Sequence, residues 1–283
     1  MIQFWISKER DVFHNLAIES WLFKENDGSH ILFWVNEPSV VIGRNQIPWK
    51  EAHLKELYSM DASLARRISG GGAVYHDGGN LNISFINVST KDDHYRLIKE
   101  TLDGFGIEAK IDARGGISAS QGKFSGSAYY LYQGKLLHHL TLLVDSDLDK
   151  LWTFLKISNE ATTSKAVESV REKVVNLSDL SPELTTGKLI DSILAQYQAC
   201  SLREITVAEN NEIDKYVQEF RSWEWIFGKT PEFLKKHQGC EVKVIKGRIA
   251  EITGDDRLKN RIGAPYRPDY FEYDNLKEEQ NVF

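Results

Sequence analysis

With 283 residues, of which 41% are hydrophobic and 27% charged, the chain can bury a sizeable core and is too apolar for an extended disordered polypeptide. A formal net charge of -6 argues against a nucleic-acid binder, because such proteins draw much of their affinity from clustered Lys and Arg neutralising phosphates. The two cysteines, Cys200 and Cys240, form no CxxC pair, so neither a zinc motif nor a disulfide framework is expected and a reducing compartment is implied.

The start, Met1 to Ile6, lacks the basic region and long apolar run of a secretory signal and is not an Arg- and Ser-rich transit helix. No apolar stretch approaches the roughly 18 residues of a membrane span. A cytoplasmic protein with no membrane partner is expected, with a mature mitochondrial form as the alternative.

Taken in order, Ile2 to Ser7 reads as a strand. Phe13 to Lys24 has apolar residues at helical spacing behind Asp11 as N-cap. The runs His30 to Val35 and Ser39 to Gly43 flank Asn36-Glu37-Pro38 and are expected to pair. A short amphipathic helix fits Glu51 to Tyr58. From Ser63 to Asn87 the pattern is strand, Gly-rich loop, strand, Asp77-Gly78-Gly79 turn and strand. A helix is predicted over His94 to Phe105, strands from Gly122 to Val144 around Gln133-Gly134, and helices near Leu148 to Leu155, Pro182 to Tyr197 and Asn211 to Trp223. Beyond Gly228, Glu241 to Ile245 and Arg248 to Ile252 make a hairpin around Lys246-Gly247, and the tail from Tyr273 is expected to fray. The irregular mixture indicates an α+β fold, mixed sheets flanked by helices, with a boundary giving units 1–222 and 223–283.

The densest signal is Arg66-Arg67-Ile68-Ser69-Gly70-Gly71-Gly72-Ala73-Val74-Tyr75-His76-Asp77. Three successive glycines add nothing to a core, and their use is to bring bare backbone close to a ligand, where N–H groups cradle an anion. No Gly-Lys-Ser/Thr follows, so it is no P-loop, and the glycine spacing is not that of a dinucleotide fingerprint. Arg67 adds a rigid fork of donors suited to phosphate or carboxylate. A tight turn between two strands is the competing reading.

These residues, followed by Leu81-Asn82-Ile83-Ser84-Phe85, resemble the signature of the lipoate-protein ligases and the related lipoyltransferases, which share a catalytic fold with biotin-protein ligases. The resemblance extends to Asn15-Leu16-Ala17-Ile18-Glu19, Val41 to Gln46, Gly122-Lys123-Phe124-Ser125-Gly126-Ser127-Ala128, His138 to Leu143, Val174 to Leu177 and Ser222 to Trp225. It implies an enzyme that uses ATP and Mg2+ to make lipoyl-AMP. The lipoyl group then goes to a lysine of apo lipoyl carrier domains, namely E2 subunits of 2-oxoacid dehydrogenases and the glycine cleavage H protein.

By the same resemblance Lys123 is the catalytic lysine. Arg67, Gly72, Ala73, Val74, Tyr75 and Lys123 would bind ATP or lipoyl-AMP, and Ser69, His76 and Lys123 the lipoate. Gly70, Gly71, Asn80 and His139 would support the site. The chemistry agrees: bringing a carboxylate against a phosphate demands a fixed cation, and Lys123 with Arg67 would supply one. No cysteine lies in the first 199 residues, which disfavours a thioester-linked intermediate. His76 and His138-His139 lack metal-ligand spacing.

The family's acidic element before the lysine hairpin is replaced by Arg114-Gly115-Gly116, leaving Asp112 as the candidate Mg2+ ligand, since hard cations prefer carboxylate oxygens. Tyr130 stands where many ligases have a basic residue. Trp223 to Pro231 resembles the mitochondrial transferase branch. Two alternatives therefore stand beside the ATP-dependent ligase. One is a transferase taking preformed lipoyl-AMP or a lipoylated donor protein, and the other is a non-catalytic binding module.

Overall fold

Alternation decides where the central strand sits. In Ser29–Trp34, Ile31 and Phe33 join one buried apolar cluster while Leu32 and Trp34 join another, because successive side chains of a strand point to opposite faces. A strand covered on both faces belongs at the middle of a sheet. A computed structural model, which describes residues 1–156, 162–170, 172–199, 201–237 and 239–271, places it there. Its six-stranded sheet runs in the spatial order Ser127–Tyr132, Lys135–Leu143, Asn80–Ile86, Ser29–Trp34, Ile2–Ser7, Arg203–Ile205. The last three strands are parallel to one another, and the others antiparallel to their neighbours.

Helix Val12–Lys24 connects Ile2–Ser7 to its parallel neighbour Ser29–Trp34, capped as expected by Asp11, whose side chain accepts from the Phe13 and His14 amides. Helix Asn211–Arg221 packs beside it. Together they cover one face, with Leu16, Ile18, Leu22, Ile213 and Phe220 buried. The other face is closed by helices Lys91–Asp103 and Thr186–Gln196.

The pairing expected between His30 to Val35 and Ser39 to Gly43 does not form. Both edges of Ser29–Trp34 are taken, by Ile2–Ser7 and Asn80–Ile86. Ser39–Ile42 lies in a separate three-stranded sheet between Ser63–Arg66 and Val74–His76. The connecting residues turn inward instead of closing a hairpin, since the Asn36 side chain is fully buried, accepting from Asn15 Nδ2 at 2.8 Å and meeting His76 Nδ1 at 2.9 Å.

The helix expected over Glu51 to Tyr58 is likewise broken into Pro48–Glu51 and Leu54–Ser59, because Ala52 bridges to Leu155 and the His53 amide donates to Phe154 O. The helix expected from His94 starts earlier, at Lys91, behind a capping box of Thr90 and Asp93. Both predicted two-residue turns are present. Gln133 and Gly134, and Lys246 and Gly247, all have positive φ, the conformation that a tight hairpin turn requires at both central residues.

A second sheet is built from Thr162–Ser164, Phe233–His237, Cys240–Ile245 and Arg248–Thr253, so one of its strands precedes the boundary expected at residue 222. Its core of Phe233, Val242, Val244 and Ile249 is completed by Tyr266 and by Trp49 from the larger body, whose rings meet with centroids 5.0 Å apart. Helix Trp223–Ile226, just past that boundary, is pinned to the larger body by Arg66. This fully buried guanidinium donates to Ile226 O, Gly43 O, Arg44 O, Gln46 O and Thr230 Oγ1. Burial lowers its pKa to about 9. The tail from Tyr273 lies outside the described residues. Among those described, no helix is long and apolar enough to cross a membrane.

Candidate active site

The Gly-rich loop leaves strand Ser63–Arg66 and is held against the neighbouring turn by main-chain bonds, Arg67 N to Ile42 O and Arg44 N to Ser69 O. The approach is close enough that a Cβ at Gly43 would collide with Gly71 O, and Gly71 itself has φ +84. Both positions therefore demand glycine.

Arg67 does not present its whole fork to the cavity. Its Nε donates to Ser69 Oγ at 3.0 Å, Nη1 to Val41 O at 3.0 Å, and Nη2 to Gly70 O and Gly72 O at 2.5 and 2.7 Å. The guanidinium shapes the loop by binding its carbonyls, which the expectation of a phosphate clamp did not foresee. Burial lowers its pKa to about 10, and the charge of Glu19 works against that shift.

From Arg67 a buried chain of bonds runs inward. Arg67 Nε donates to Ser69 Oγ, which is joined to His139 Nε2 at 2.7 Å, and His139 Nδ1 donates to Glu19 Oε1 at 2.8 Å. Ser84, itself receiving Trp34 Nε1, also donates to Glu19. Ser69 lies behind the cavity wall, whereas His139 reaches the lining.

Lys123 sits on strand Gly122–Ser125 with its ammonium 3.3 Å from Glu172 Oε1 and 3.9 Å from Asp112 Oδ2. The two glycines of Arg114-Gly115-Gly116 differ in what they require. Gly115 has φ +82, where a side chain is strained, and a Cβ there would also meet Tyr95 and Ser127, whereas a Cβ at Gly116 would meet the ends of the flexible Asp112 and Lys123 side chains. Burial works to raise the Asp112 pKa, but hydrogen bonds from the Gly116 and Arg114 amides and the Lys123 charge outweigh it and hold the carboxyl low.

These parts surround one cavity of about 410 Å³, within the size range of small-molecule sites. Arg67, Gly71, Gly72, Ala73, Val74, Tyr75, His76, Lys123 and His139 all line it. Of the other residues singled out, Ser69 and Asn80 are buried behind it, and Gly70 and Asp112 line an adjoining groove. Asn80 donates to Asn82 Oδ1, and Asn82 reaches the lining.

Several lining residues were not anticipated. Trp34 and Leu16 supply apolar wall. Val167 to Val170, Glu172 and Val174 also line the cavity, with Ser169 Oγ accepting from the Ala73 amide at 2.8 Å and donating to Glu51 Oε2. Burial raises the pKa of Glu51. Of these residues only Val174, at the start of the Val174 to Leu177 motif, carried a sequence signal, and nothing local ties Ser169 to Glu51, 118 residues away.

Two buried histidines give a pH prediction. Burial lowers His76 to about 3, helped by the charges of Arg67 and His139, and lowers His138 to about 3, helped by His94, His139 and Lys91. Unfolded histidine takes its proton near pH 6.5. Below that pH the unfolded state binds more protons than the native state, so stability falls as pH falls, by about 1.4 kcal/mol per unit for each histidine until the folded value is reached. Above pH 6.5 the two contribute no slope. Urea midpoints at pH 7 and pH 5 should show the drop, and it should shrink in His138→Gln; equal drops in the two proteins would contradict the assignment.

Comparison with known proteins fits this geometry. Residues 11–198 match the model of the lipoyl protein ligase A/B catalytic domain, and the chain belongs to that family. Among its relatives, lipoate-protein ligase A of Psychrobacter cryohalolentis is 37% identical over 77% of this chain and 70% of its own length. The crystal structure of P. falciparum LipL1 in complex with lipoate superposes with a TM-score of 0.73 at 25% identity, covering 99% of this chain and 98% of that one. A lipoate-protein ligase A structure bound with ATP shares the fold at a TM-score of 0.64 and 24% identity, over 80% of this chain and 98% of the other.

Proposed function

We propose that this chain activates lipoate with ATP and transfers the lipoyl group to a lysine of apo lipoyl carrier domains, E2 subunits and H protein. Its relatives are lipoate-protein ligases, and structures of the same fold hold lipoate in one case and ATP in another. The observation that carries the reading is that the Lys123 side chain and the Gly-rich loop line one cavity.

In the first half-reaction the lipoate carboxylate attacks the α-phosphate of ATP, a P–O bond forms, and pyrophosphate leaves. In the second, the acceptor amine attacks the acyl carbonyl, AMP leaves and an amide remains. Both steps gather negative charge near the reacting atoms. The Lys123 ammonium offsets it, and the Ala73 amide, which donates to Ser169 Oγ here, becomes a donor to the ligand once that bond is exchanged. Arg67 acts as a positioning residue by holding the carbonyls of Gly70 and Gly72. Apolar wall from Leu16, Trp34 and Val41 suits the aliphatic part of lipoate. In this reading residues 1–222 perform the chemistry in a cytoplasmic setting, and residues 223–283 form an accessory unit.

Among the described residues no three His, Cys, Asp or Glu side chains gather as metal ligands, so a Mg2+ here would be held by at most one or two carboxylates, with the nucleotide's phosphates supplying the rest. Asp112 Oδ1 accepts from the Arg114 and Gly116 amides, and Glu172 Oε1 is engaged by Arg114 and Lys123. No step is therefore routed through a protein-held metal.

The same Gly115-Gly116 pair supports a second reading, transfer from preformed lipoyl-AMP without ATP. Intact-mass analysis of an apo carrier domain separates the two. The ligase adds one lipoyl group when given lipoate and ATP, the transferase only when given lipoyl-AMP, and a carrier left unmodified under both conditions rules out both.

A further inference from the structure

We propose that Glu172 sets the anion affinity of the cavity, its carboxylate standing on Lys123 and Arg114 as an internal substitute that an incoming anionic ligand must displace. This rests on the reading of the cavity as an acyl-adenylate site. Glu172 Oε1 lies 2.6 Å from Arg114 Nη2 and 3.3 Å from Lys123 Nζ, so the two cations nearest the reacting position are already paired. Three residues earlier, Ser169 Oγ occupies the Ala73 amide. One segment thus offers a carboxylate to the cation and a hydroxyl to the loop N–H, the two kinds of donor that a phosphate bound here would use.

The tethering is backbone on both sides of Lys123, whose amide donates to Lys173 O at 2.8 Å while the Val175 amide donates to Lys123 O at 3.0 Å. That keeps the Glu172 carboxylate near the ammonium and gives it a high effective concentration against a free anion. Asp112 also faces Lys123, but it is fixed by two backbone amides, so Glu172 is the carboxylate with freedom to swing away. A small free anion gains only the ion pair it displaces. A ligand that also buries an acyl chain gains the surplus needed to win, so Glu172 favours the full acyl-adenylate over stray phosphate.

Titration calorimetry of wild type, Glu172→Gln and Glu204→Gln with AMP, inorganic phosphate and lipoyl-AMP tests this. Loss of one like charge within 4 Å should tighten AMP and phosphate by about fivefold in Glu172→Gln. Glu204 pairs with Lys8 and lines neither the cavity nor the adjoining groove, so Glu204→Gln should leave both affinities unchanged. Glu172→Ala should show the same tightening even where a new bond from the glutamine masks it. Equal AMP affinity in wild type and both Glu172 variants, or equal tightening in Glu204→Gln, overturns the proposal while leaving the adenylate reading intact. A wild type that binds no lipoyl-AMP overturns both.

Discussion

Replacing Lys123 with alanine should abolish lipoyl transfer while leaving the protein folded. In the proposed reading the ammonium is the cation that faces the reacting atoms, and removing a single preorganised donor of that kind costs about 10²–10³ in rate. The loss should persist when lipoyl-AMP is supplied ready-made, because the same charge serves the second half-reaction. The side chain is partly exposed and, among the described residues, pairs with Glu172 and Asp112, so its removal opens no core void and stability should change little. Single-turnover transfer from lipoyl-AMP to a folded apo carrier domain, with urea unfolding as the control, checks both halves. Full retention of transfer would remove Lys123 from the chemistry.

Arg66→Met should be the most destabilising single substitution among the residues near the site. Methionine fills a similar length but cannot donate, and it leaves the carbonyls of Gly43, Arg44, Gln46 and Ile226 without the guanidinium they share. Each buried acceptor left unpaired costs about 1–3 kcal/mol, so a total loss of at least about 3 kcal/mol is expected even after local relaxation. Against a typical stability of about 5–15 kcal/mol that is a large fraction. Because Arg66 joins the loop Gly43 to Gln46 to helix Trp223–Ile226, protease sensitivity should rise first near residues 223–230. A urea midpoint within experimental error of wild type would contradict this account of the pin.

Local periodicity and punctuation revealed most of the elements. The helix behind Asp11, the two turns at Gln133-Gly134 and Lys246-Gly247, and the strand and loop order from Ser63 to Asn87 follow from side-chain spacing and from residues that tolerate positive φ. What stayed hidden was non-local. Nothing in the run His30 to Val35 says that both its edges are claimed by strands far away in sequence, nor that Thr162–Ser164 completes a sheet formed 70 residues later. The strong helical pattern of Glu51 to Tyr58 yielded to a bridge from Leu155.

The candidate site shows the same division. Glycines that admit close backbone and a lysine in a Gly-flanked strand are visible as residue types, and the fold brings them to one cavity. The direction of a side chain is not visible, which is why Arg67 reads as a phosphate fork and instead spends most of its donors on carbonyls. Gly115-Gly116 reads as a lost acidic element, whereas the positive φ of Gly115, a backbone property, is what favours glycine there. Glu51, Ser169 and Glu172 carried no signal, since each acquires its role only from a partner distant in sequence.

The central claim is that one cavity brings a carboxylic acid and a nucleotide together over the Gly-rich loop and Lys123. Exchange of labelled pyrophosphate into ATP, measured with lipoate and no acceptor protein, tests it most directly. The account predicts exchange that depends on lipoate and disappears in Lys123→Ala; exchange that is absent in the wild type, or that proceeds equally without lipoate, would contradict it.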